Sequence, residues 1–132
     1  MSAPPSLLMV NAFIGTANFK KLYQELGYAV VAEWSERKAI SLVRKTPPAV
    51  IVADFYHQTD FRDRLSNLES LLATAQSAPA TRILVFYEAA HQAALDKVGA
   101  RLRIDAALTL PVQEDRLRAT LQAWLEKAPV ST

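Results

Sequence analysis

The sequence predicts an α/β fold in which helices cover both faces of a parallel β-sheet. Five short apolar segments alternate with five segments whose apolar residues recur at helical spacing. Most of the short segments are apolar at consecutive positions, which is typical of strands buried on both faces. Strict alternation of strands and helices favours an α/β sandwich. The 132 residues suit a single domain over 1–132, with its core at about 6–126.

Five apolar segments of about strand length predict the strands. They are 6–10, 29–34, 49–53, 82–87 and 106–110. The helical pattern of the first predicted helix contains Phe19 and Leu26, and Gly27 is suited to end it. Ser35 is suited to cap a second helix that runs to about Lys45. The other three helices are marked by apolar residues within 61–72, 95–102 and 117–125.

The composition excludes several classes of protein. Hydrophobic residues make up 51% and charged residues 21%, which does not fit a disordered chain. The net charge of +2 is too small to indicate nucleic acid or a membrane as the partner. Cysteine is absent, which excludes disulfides and thiol chemistry. No apolar run approaches the ~20 residues that span a bilayer, and the start lacks a secretion signal, so we expect a cytoplasmic protein.

A lone acid, Asp54, ends the apolar run 49–53. Right-handed crossovers leave few topologies for five strand–helix units, and one common solution is the flavodoxin-like order 2-1-3-4-5. In that order the ligand crevice lies at the carboxyl ends of strands 1 and 3. Asn11 and Ala12 follow strand 1, and Asp54 follows strand 3. We therefore place Asp54 in the crevice rather than in the core.

Four segments carry a resemblance to a known family. They are "LLMVNAF" (7–13), "PPAVIVADFY" (47–56), "RILVFYEAA" (82–90) and "IDAALTLPV" (104–112). In order and spacing, the chain resembles the receiver domain of bacterial response regulators (CheY-like) over about 6–126. The family often has a Gly-Ala pair just before the fifth strand, whereas Gly99 and Ala100 lie farther upstream. We therefore expect either a longer fourth helix or a longer loop after it.

The resemblance implies a phosphoryl-transfer site. In the family, two acids after strand 1 help to hold a divalent cation, and the aspartate of strand 3 accepts the phosphoryl group. A Ser or Thr after strand 4 and a Lys before the proline of strand 5 bind the phosphate, and an aromatic residue of strand 5 switches rotamer. The acceptor position is Asp54, and the other positions are occupied by Asn11 and Ala12, Tyr87, Leu110 before Pro111, and Ala107.

These replacements indicate a degenerate receiver, or pseudo-receiver. One carboxylate beside a neutral amide is a poor site for a hard dication, and Leu110 cannot bind a phosphate. We therefore expect a non-enzymatic signalling module without a cofactor, in which Tyr87 fills the space of the phosphate. The alternative is a phospho-accepting response regulator of a two-component phosphorelay, which would use Mg²⁺ at Asp54.

Two further patterns suggest ligands less strongly. The segment "GTAN" (15–18) faintly resembles the phosphate loop of flavodoxins, which leaves a small-ligand binder as a second alternative. The plainer interpretation is that Thr16 or Asn18 caps the first helix. His57 and His91 follow strands 3 and 4 and could form a metal trio with Asp54, but their spacing favours solvated loop residues. We therefore expect no metal site.

The sequence does not identify a partner, but it suggests a surface. All 132 residues are assigned to the fold, so we expect the output to come from a protein partner in bacterial signalling or from a second copy of the chain. In receivers, the fourth helix, fifth strand and fifth helix commonly form such contacts. The candidate residues there are Arg101, Arg103, Arg116 and Arg118. Acids interspersed among them weaken the case for nucleic acid.

Overall fold

A computed structural model describes residues 4–10, 19–33, 35–55, 69–110 and 112–127. The elements are β1 (Ser6–Val10), α1 (Lys20–Leu26), β2 (Ala29–Glu33), α2 (Glu36–Lys45), β3 (Val50–Asp54), α3 (Glu69–Ala75), β4 (Arg82–Tyr87), a 3₁₀ turn (Ala89–His91), α4 (Gln92–Gly99), β5 (Ala106–Thr109) and α5 (Glu114–Lys127). The five strands form one parallel sheet in the order β2-β1-β3-β4-β5. The predicted fold class and strand order are confirmed.

Two apolar cores lie on opposite faces of the sheet, because side chains alternate along each strand. Leu7 and Met9 of β1 face the α1–α5 core, which contains Leu22 of α1 and Leu117 of α5. Leu8 of β1 faces the α2–α4 core. The buried helix residues of the α2–α4 core are Ala39, Val43, Leu71, Leu72, Ala75, Leu95 and Val98. The consecutive apolar residues of the central strands are thus explained by burial on both faces.

The two edge strands depart from the expectation of burial on both faces. Every residue of β3 is buried, whereas β2 has three exposed residues out of five and β5 alternates between half-buried and exposed. Val31 of β2 is 46% exposed. An edge strand has a neighbour on one side only, so it is covered less completely than a central strand. Apolar composition alone therefore does not show how deeply a strand is buried.

The starts and ends of the helices follow local chemistry. Ser35 accepts a hydrogen bond from the backbone N–H of Lys38 at 3.3 Å, which confirms it as the cap of α2. Gly27 ends α1 with φ at 105°, a conformation that disfavours a side chain. The α4 helix ends at Gly99. Of the two expected explanations, the longer loop before β5 is therefore the one observed, and the fourth helix is not extended. The predicted third-helix residues 61–68 lie outside the described residues.

Polar contacts hold together the amino ends of the strands. The hydroxyl of Tyr28, the residue before β2, donates to the carbonyl of Leu121 in α5 at 3.0 Å. The carboxylate of Asp105 accepts from the backbone N–H of Ile83 at 2.7 Å. These bonds join α5 to β2 and the loop before β5 to β4. In the described part of the chain, no helix has both the length and the apolar character needed to cross a membrane.

Candidate functional site

Asp54 is the last residue of β3, at the carboxyl edge of the sheet. It stands opposite Phe86 of β4, and the N–H of Phe55 donates to the carbonyl of Phe86 at 2.7 Å. Asp54 is only 5% exposed, so it is more enclosed than a residue at an open crevice mouth. Asn11 and Ala12, the positions of the acid pair, lie outside the described residues. The placement of Asp54 at the strand end agrees with the prediction.

The negative charge of Asp54 acts on a buried tyrosine of α1. Tyr23 is 1% exposed and packs in the α1–α5 core. Burial, and secondarily the negative charge of Asp54, hold the pKa of Tyr23 well above its ordinary value. The phenol therefore stays protonated at any physiological pH. A neutral phenol does not offset the charge of a carboxylate as a lysine ammonium does.

Tyr87 ends β4, one strand away from Asp54. Its side chain belongs to the α2–α4 core, and the residue is 8% exposed. Its hydroxyl donates to Oε1 of Gln92 at 2.6 Å, and Nε2 of Gln92 donates to Oδ1 of Asp96 at 2.9 Å. The strand end is therefore connected through one hydrogen-bonded chain to the first two turns of α4. A large buried ring stands at the position where the resemblance expects a small hydroxyl.

Leu110 continues the pairing between β4 and β5. Its backbone N–H donates to the carbonyl of Tyr87 at 2.8 Å, which fixes the two positions side by side. Its side chain packs against the α1–α5 core with Leu108 and Val112. Ala107 lies on β5 and is exposed, and Pro111 lies outside the described residues. The lysine position thus carries an apolar side chain that takes part in the core.

Comparison with solved structures agrees with the sheet order. The signal receiver domain of an HD domain-containing protein from Pseudomonas fluorescens matches with a TM-score of 0.73 at 16% identity, over 96% of this chain and 90% of that one. A response regulator receiver domain protein from Clostridium thermocellum matches with a TM-score of 0.72 at 13% identity, over 93% and 95%. The chain has the receiver fold. No protein-family model and no curated protein matches it.

A third structure with the receiver fold is similar in the same way. An uncharacterized protein from Neptuniibacter caesariensis matches with a TM-score of 0.76 at 19% identity, over 94% of this chain and 89% of that one. Identities this low establish the shared fold and not a shared activity. The activity must therefore be argued from the side chains at the carboxyl edge of the sheet.

The residues that the structure describes do not form a site for the divalent cation that the resemblance to receiver domains implies. Among the described residues, no group of three or more His, Cys, Asp or Glu side chains could hold a metal ion. The acid-pair positions are Asn11 and Ala12 in the sequence, which leaves a neutral amide and a methyl group. Mg²⁺ prefers several oxygen ligands with near-octahedral geometry, usually including carboxylates.

The remaining ligand hypotheses fall mostly outside the described residues. The segment 15–18 and His57 lie there, so neither the flavin-type loop nor the metal trio is tested. His91 is described, and it ends the short 3₁₀ turn Ala89–His91 before α4. Its residue is half-buried rather than fully solvated. The flavin-type loop therefore stays an untested alternative, and the expected absence of a metal site at these residues stays a prediction.

The four arginines proposed as an interaction surface do not share one environment. Arg103 donates through Nη1 and Nη2 to the carbonyls of Pro79 and Thr81, at the amino edge of the sheet. Arg118 approaches Glu25 of α1 at 3.4 Å. Arg116 is exposed on α5, and Arg101 is exposed after α4. The side chains of Arg103 and Arg118 are therefore engaged in contacts within the chain, and the role of all four arginines in binding a partner stays a prediction.

Sequence reasoning missed the partners of Tyr87. Gln92 and Asp96 were assigned no role, although their spacing of four residues on a helix is the spacing at which side chains meet. The spacing from Tyr87 to Gln92 crosses a strand end and a 3₁₀ turn, so no single periodicity predicts that contact. The signal for the Gln92–Asp96 pair was present in the sequence, and the signal for the Tyr87–Gln92 pair was not.

Proposed function

We propose that the chain is a receiver-like signalling module that acts through protein–protein contact and does not depend on metal-assisted phosphorylation of Asp54. The observation that carries this proposal is the buried ring of Tyr87, hydrogen-bonded to Gln92 at 2.6 Å. Phosphoryl transfer in receivers needs a small hydroxyl at that position to bind the phosphate. A filled position offers neither the space nor the free hydroxyl.

The neighbouring positions support the same proposal. Leu110 supplies an alkyl side chain, packed with the α1–α5 core, where a lysine would bind the phosphate. Asp54 is almost fully buried, and the nearby Tyr23 phenol is neutral. Catalysis of phosphoryl transfer depends on positive charge that offsets the developing negative charge. At the position where the resemblance expects that lysine, Leu110 contributes no positive charge.

The proposal also accounts for the connection between the site and α4. A receiver that responds to phosphate must change its conformation when phosphate binds. Here the hydrogen bonds from Tyr87 to Gln92 and from Gln92 to Asp96 hold the segment after β4 in one conformation. A fixed surface suits a module that is recognised by a protein partner without a chemical switch. The module is not an enzyme in this proposal, and it works in the cytoplasm.

Incubation with acetyl phosphate and Mg²⁺, followed by intact-mass measurement, tests the proposal. The expected result is that the mass of the protein stays unchanged. Amide chemical shifts recorded during a Mg²⁺ titration should show no saturable change at Asp54, Phe55 or Tyr87. The matched control is Asp54→Asn, which removes the acceptor and keeps the shape of the side chain.

One result would support the phospho-accepting alternative instead. A mass increase of one phosphoryl group in the unmodified protein, absent from Asp54→Asn, would show that Asp54 accepts phosphate. In that case the shifts of Tyr87 and Gln92 should also move, because the ring must leave its position. An unchanged mass with a strong Mg²⁺-dependent shift at Asp54 would contradict the absence of a metal site.

A further inference from the structure

A half-open cleft with a volume of about 810 Å³ lies at the amino edge of the sheet, opposite the edge that carries Asp54. The first residues of β1, β3 and β4, which are Ser6, Val50 and Arg82, contribute to its lining. Its volume is within the range of about 300–1,000 Å³ found for small-molecule sites. The cleft is independent of the residues that carry the proposed function.

The wall of the cleft on the α5 side is apolar and aromatic. Trp124 and Leu125 line it from the last turns of α5, and both are half-buried. Tyr28 lines the same wall, and its hydroxyl is held by the carbonyl of Leu121. The ring of Tyr28 is therefore fixed before any ligand arrives. Preformed aromatic and aliphatic walls are typical of sites for small organic molecules.

Arg82 supplies a positive charge to this wall. It is paired in register with Val50, whose side chain faces the α1–α5 core. Paired residues of neighbouring parallel strands point to the same face, so the Arg82 side chain emerges on the side of α5. Arg82 is half-buried, and its backbone N–H donates to the carbonyl of Ala49 at 2.9 Å. Its side chain makes no hydrogen bond or ion pair with any other described residue. Its guanidinium can therefore receive an anion.

The second arginine of the cleft is already occupied. Arg103 donates to the carbonyls of Pro79 at 3.1 Å and Thr81 at 2.7 Å, and its Nε lies 3.6 Å from Oδ2 of Asp105. The charge of Arg103 is offset by Asp105, and its terminal nitrogens are used in holding the loop before β4. Among the described residues that line the cleft, Arg82 alone carries a positive charge without an ion-pair partner. The charge balance fits a monoanion better than a dianion.

We propose that this cleft binds a small organic monocarboxylate with an aromatic or branched aliphatic body. The carboxylate lies against the guanidinium of Arg82, which matches its planar geometry with two parallel hydrogen bonds. The apolar body lies against Trp124 and Leu125 and removes their exposed surface from water. A neutral molecule of the same shape cannot form the ion pair with Arg82. Inorganic phosphate has no apolar body to pack against Trp124 and Leu125.

Titration of the ¹⁵N-labelled protein with sodium phenylacetate, monitored by amide chemical shifts, tests the proposal. The expected result is a saturable shift of the amides of Ser6, Ala80 and Arg82, with Phe55 and Tyr87 unchanged. Phenylacetamide, the neutral analogue, and inorganic phosphate should each bind at least about tenfold more weakly. The comparison of acid and amide uses the unmodified protein, so it does not depend on the folding of a variant.

Two variants locate the charge. Arg82→Gln should weaken phenylacetate binding about tenfold or more, since a charge-assisted pair is lost. Arg37→Gln, which removes an exposed arginine of α2, should bind phenylacetate as the unmodified protein does. Equal binding of phenylacetate and phenylacetamide, unchanged binding by Arg82→Gln, or the absence of saturable shifts would each overturn the proposal. Asp54→Asn should bind phenylacetate normally, which separates this test from that of the proposed function.

Discussion

The hydroxyl of Tyr87 donates a hydrogen bond of 2.6 Å to Oε1 of Gln92, and this bond ties the end of β4 to the start of α4. Both residues lie beside the edge of the sheet at which Asp54 ends β3. Gln92 in turn donates to Asp96, so the bond is the first link of a short chain that runs along α4. Side chains linked in this way constrain one another, because each fixes the orientation of the next.

The Tyr87–Gln92 bond should be measurable as a coupling energy. Tyr87→Phe should lower the free energy of unfolding by about 1 kcal/mol, because it removes a part-buried hydrogen bond and keeps the ring. In a double-mutant cycle with Gln92→Ala, the coupling energy should be at least about 0.5 kcal/mol. Urea denaturation measures the free energy of unfolding of the unmodified protein, the two single variants and the double variant. The matched control is Thr120→Ala on α5, whose effect on the free energy of unfolding should add to that of Tyr87→Phe. If the effects of Gln92→Ala and Tyr87→Phe were also additive, the link between Tyr87 and Gln92 would be contradicted.

The guanidinium of Arg103 should stabilise the fold rather than serve mainly as a contact for a partner. Arg103→Met keeps most of the alkyl chain and removes two hydrogen bonds to the carbonyls of Pro79 and Thr81. We expect a loss of about 1–2 kcal/mol in the free energy of unfolding, limited by the 35% exposure of the side chain. Thermal or urea denaturation of Arg103→Met and of the unmodified protein measures this loss of stability.

The matched control for Arg103→Met is Arg37→Met. Arg37 is exposed on α2 and has no described contact to lose, so its substitution should change stability by less than about 0.5 kcal/mol. If Arg103→Met were equally neutral, the contacts of Arg103 at the amino edge would contribute nothing to stability. Arg103 would then be more available for binding a partner.

Tyr28 should make the protein lose stability in alkaline solution. Burial raises the pKa of Tyr28 from its ordinary value of about 10 to about 12. Between these two values the unfolded chain releases the phenolic proton and the folded chain retains it, so the free energy of unfolding falls as the pH rises. Below about pH 10 this contribution is fully present, and above about pH 12 it is lost.

Tyr28→Phe separates the two roles of the phenol. At neutral pH it should cost about 1 kcal/mol, because the hydrogen bond to the carbonyl of Leu121 is removed. Between pH 10 and 12 its stability should fall less steeply than that of the unmodified protein, although Tyr23, whose pKa is also raised, keeps part of the slope. Urea denaturation at several pH values measures both effects, and identical slopes would contradict the role of Tyr28.

Two glycines should respond oppositely to substitution by alanine. Gly27 has φ at 105°, so Gly27→Ala should cost about 1–2 kcal/mol from backbone strain, although nothing lies within 4 Å of the added carbon. Gly99 is the last residue of α4, and the nearest atom to its added carbon is 4.0 Å away. Gly99→Ala should be neutral or stabilise by up to about 1 kcal/mol. A stabilising Gly27→Ala would show that the backbone there adapts without strain.

The sequence by itself determined the alternation of strands and helices, and it narrowed the sheet order to a few topologies that include the observed β2-β1-β3-β4-β5. These features depend on periodicity and on chain connectivity, which are local or follow general rules of handedness. The cap at Ser35 and the end of α1 at Gly27 were predictable for the same reason, because each depends on one residue and its backbone. The sequence also has Tyr87 and Leu110 at the positions where the resemblance to receivers expects phosphate-binding residues, and the loss of phosphate binding there stays a prediction.

Only the tertiary structure decided which side chains meet. No common periodicity relates the residues that meet in three places. These are the Tyr87–Gln92 hydrogen bond, the hydrogen bonds from Arg103 to the carbonyls of Pro79 and Thr81, and the cleft at Arg82. The exposure of Val31 was likewise not visible, because an apolar residue of an edge strand has the same composition as one of a central strand. Contacts between elements depend on loop lengths and packing directions, and a pattern within one element carries no information about its neighbour.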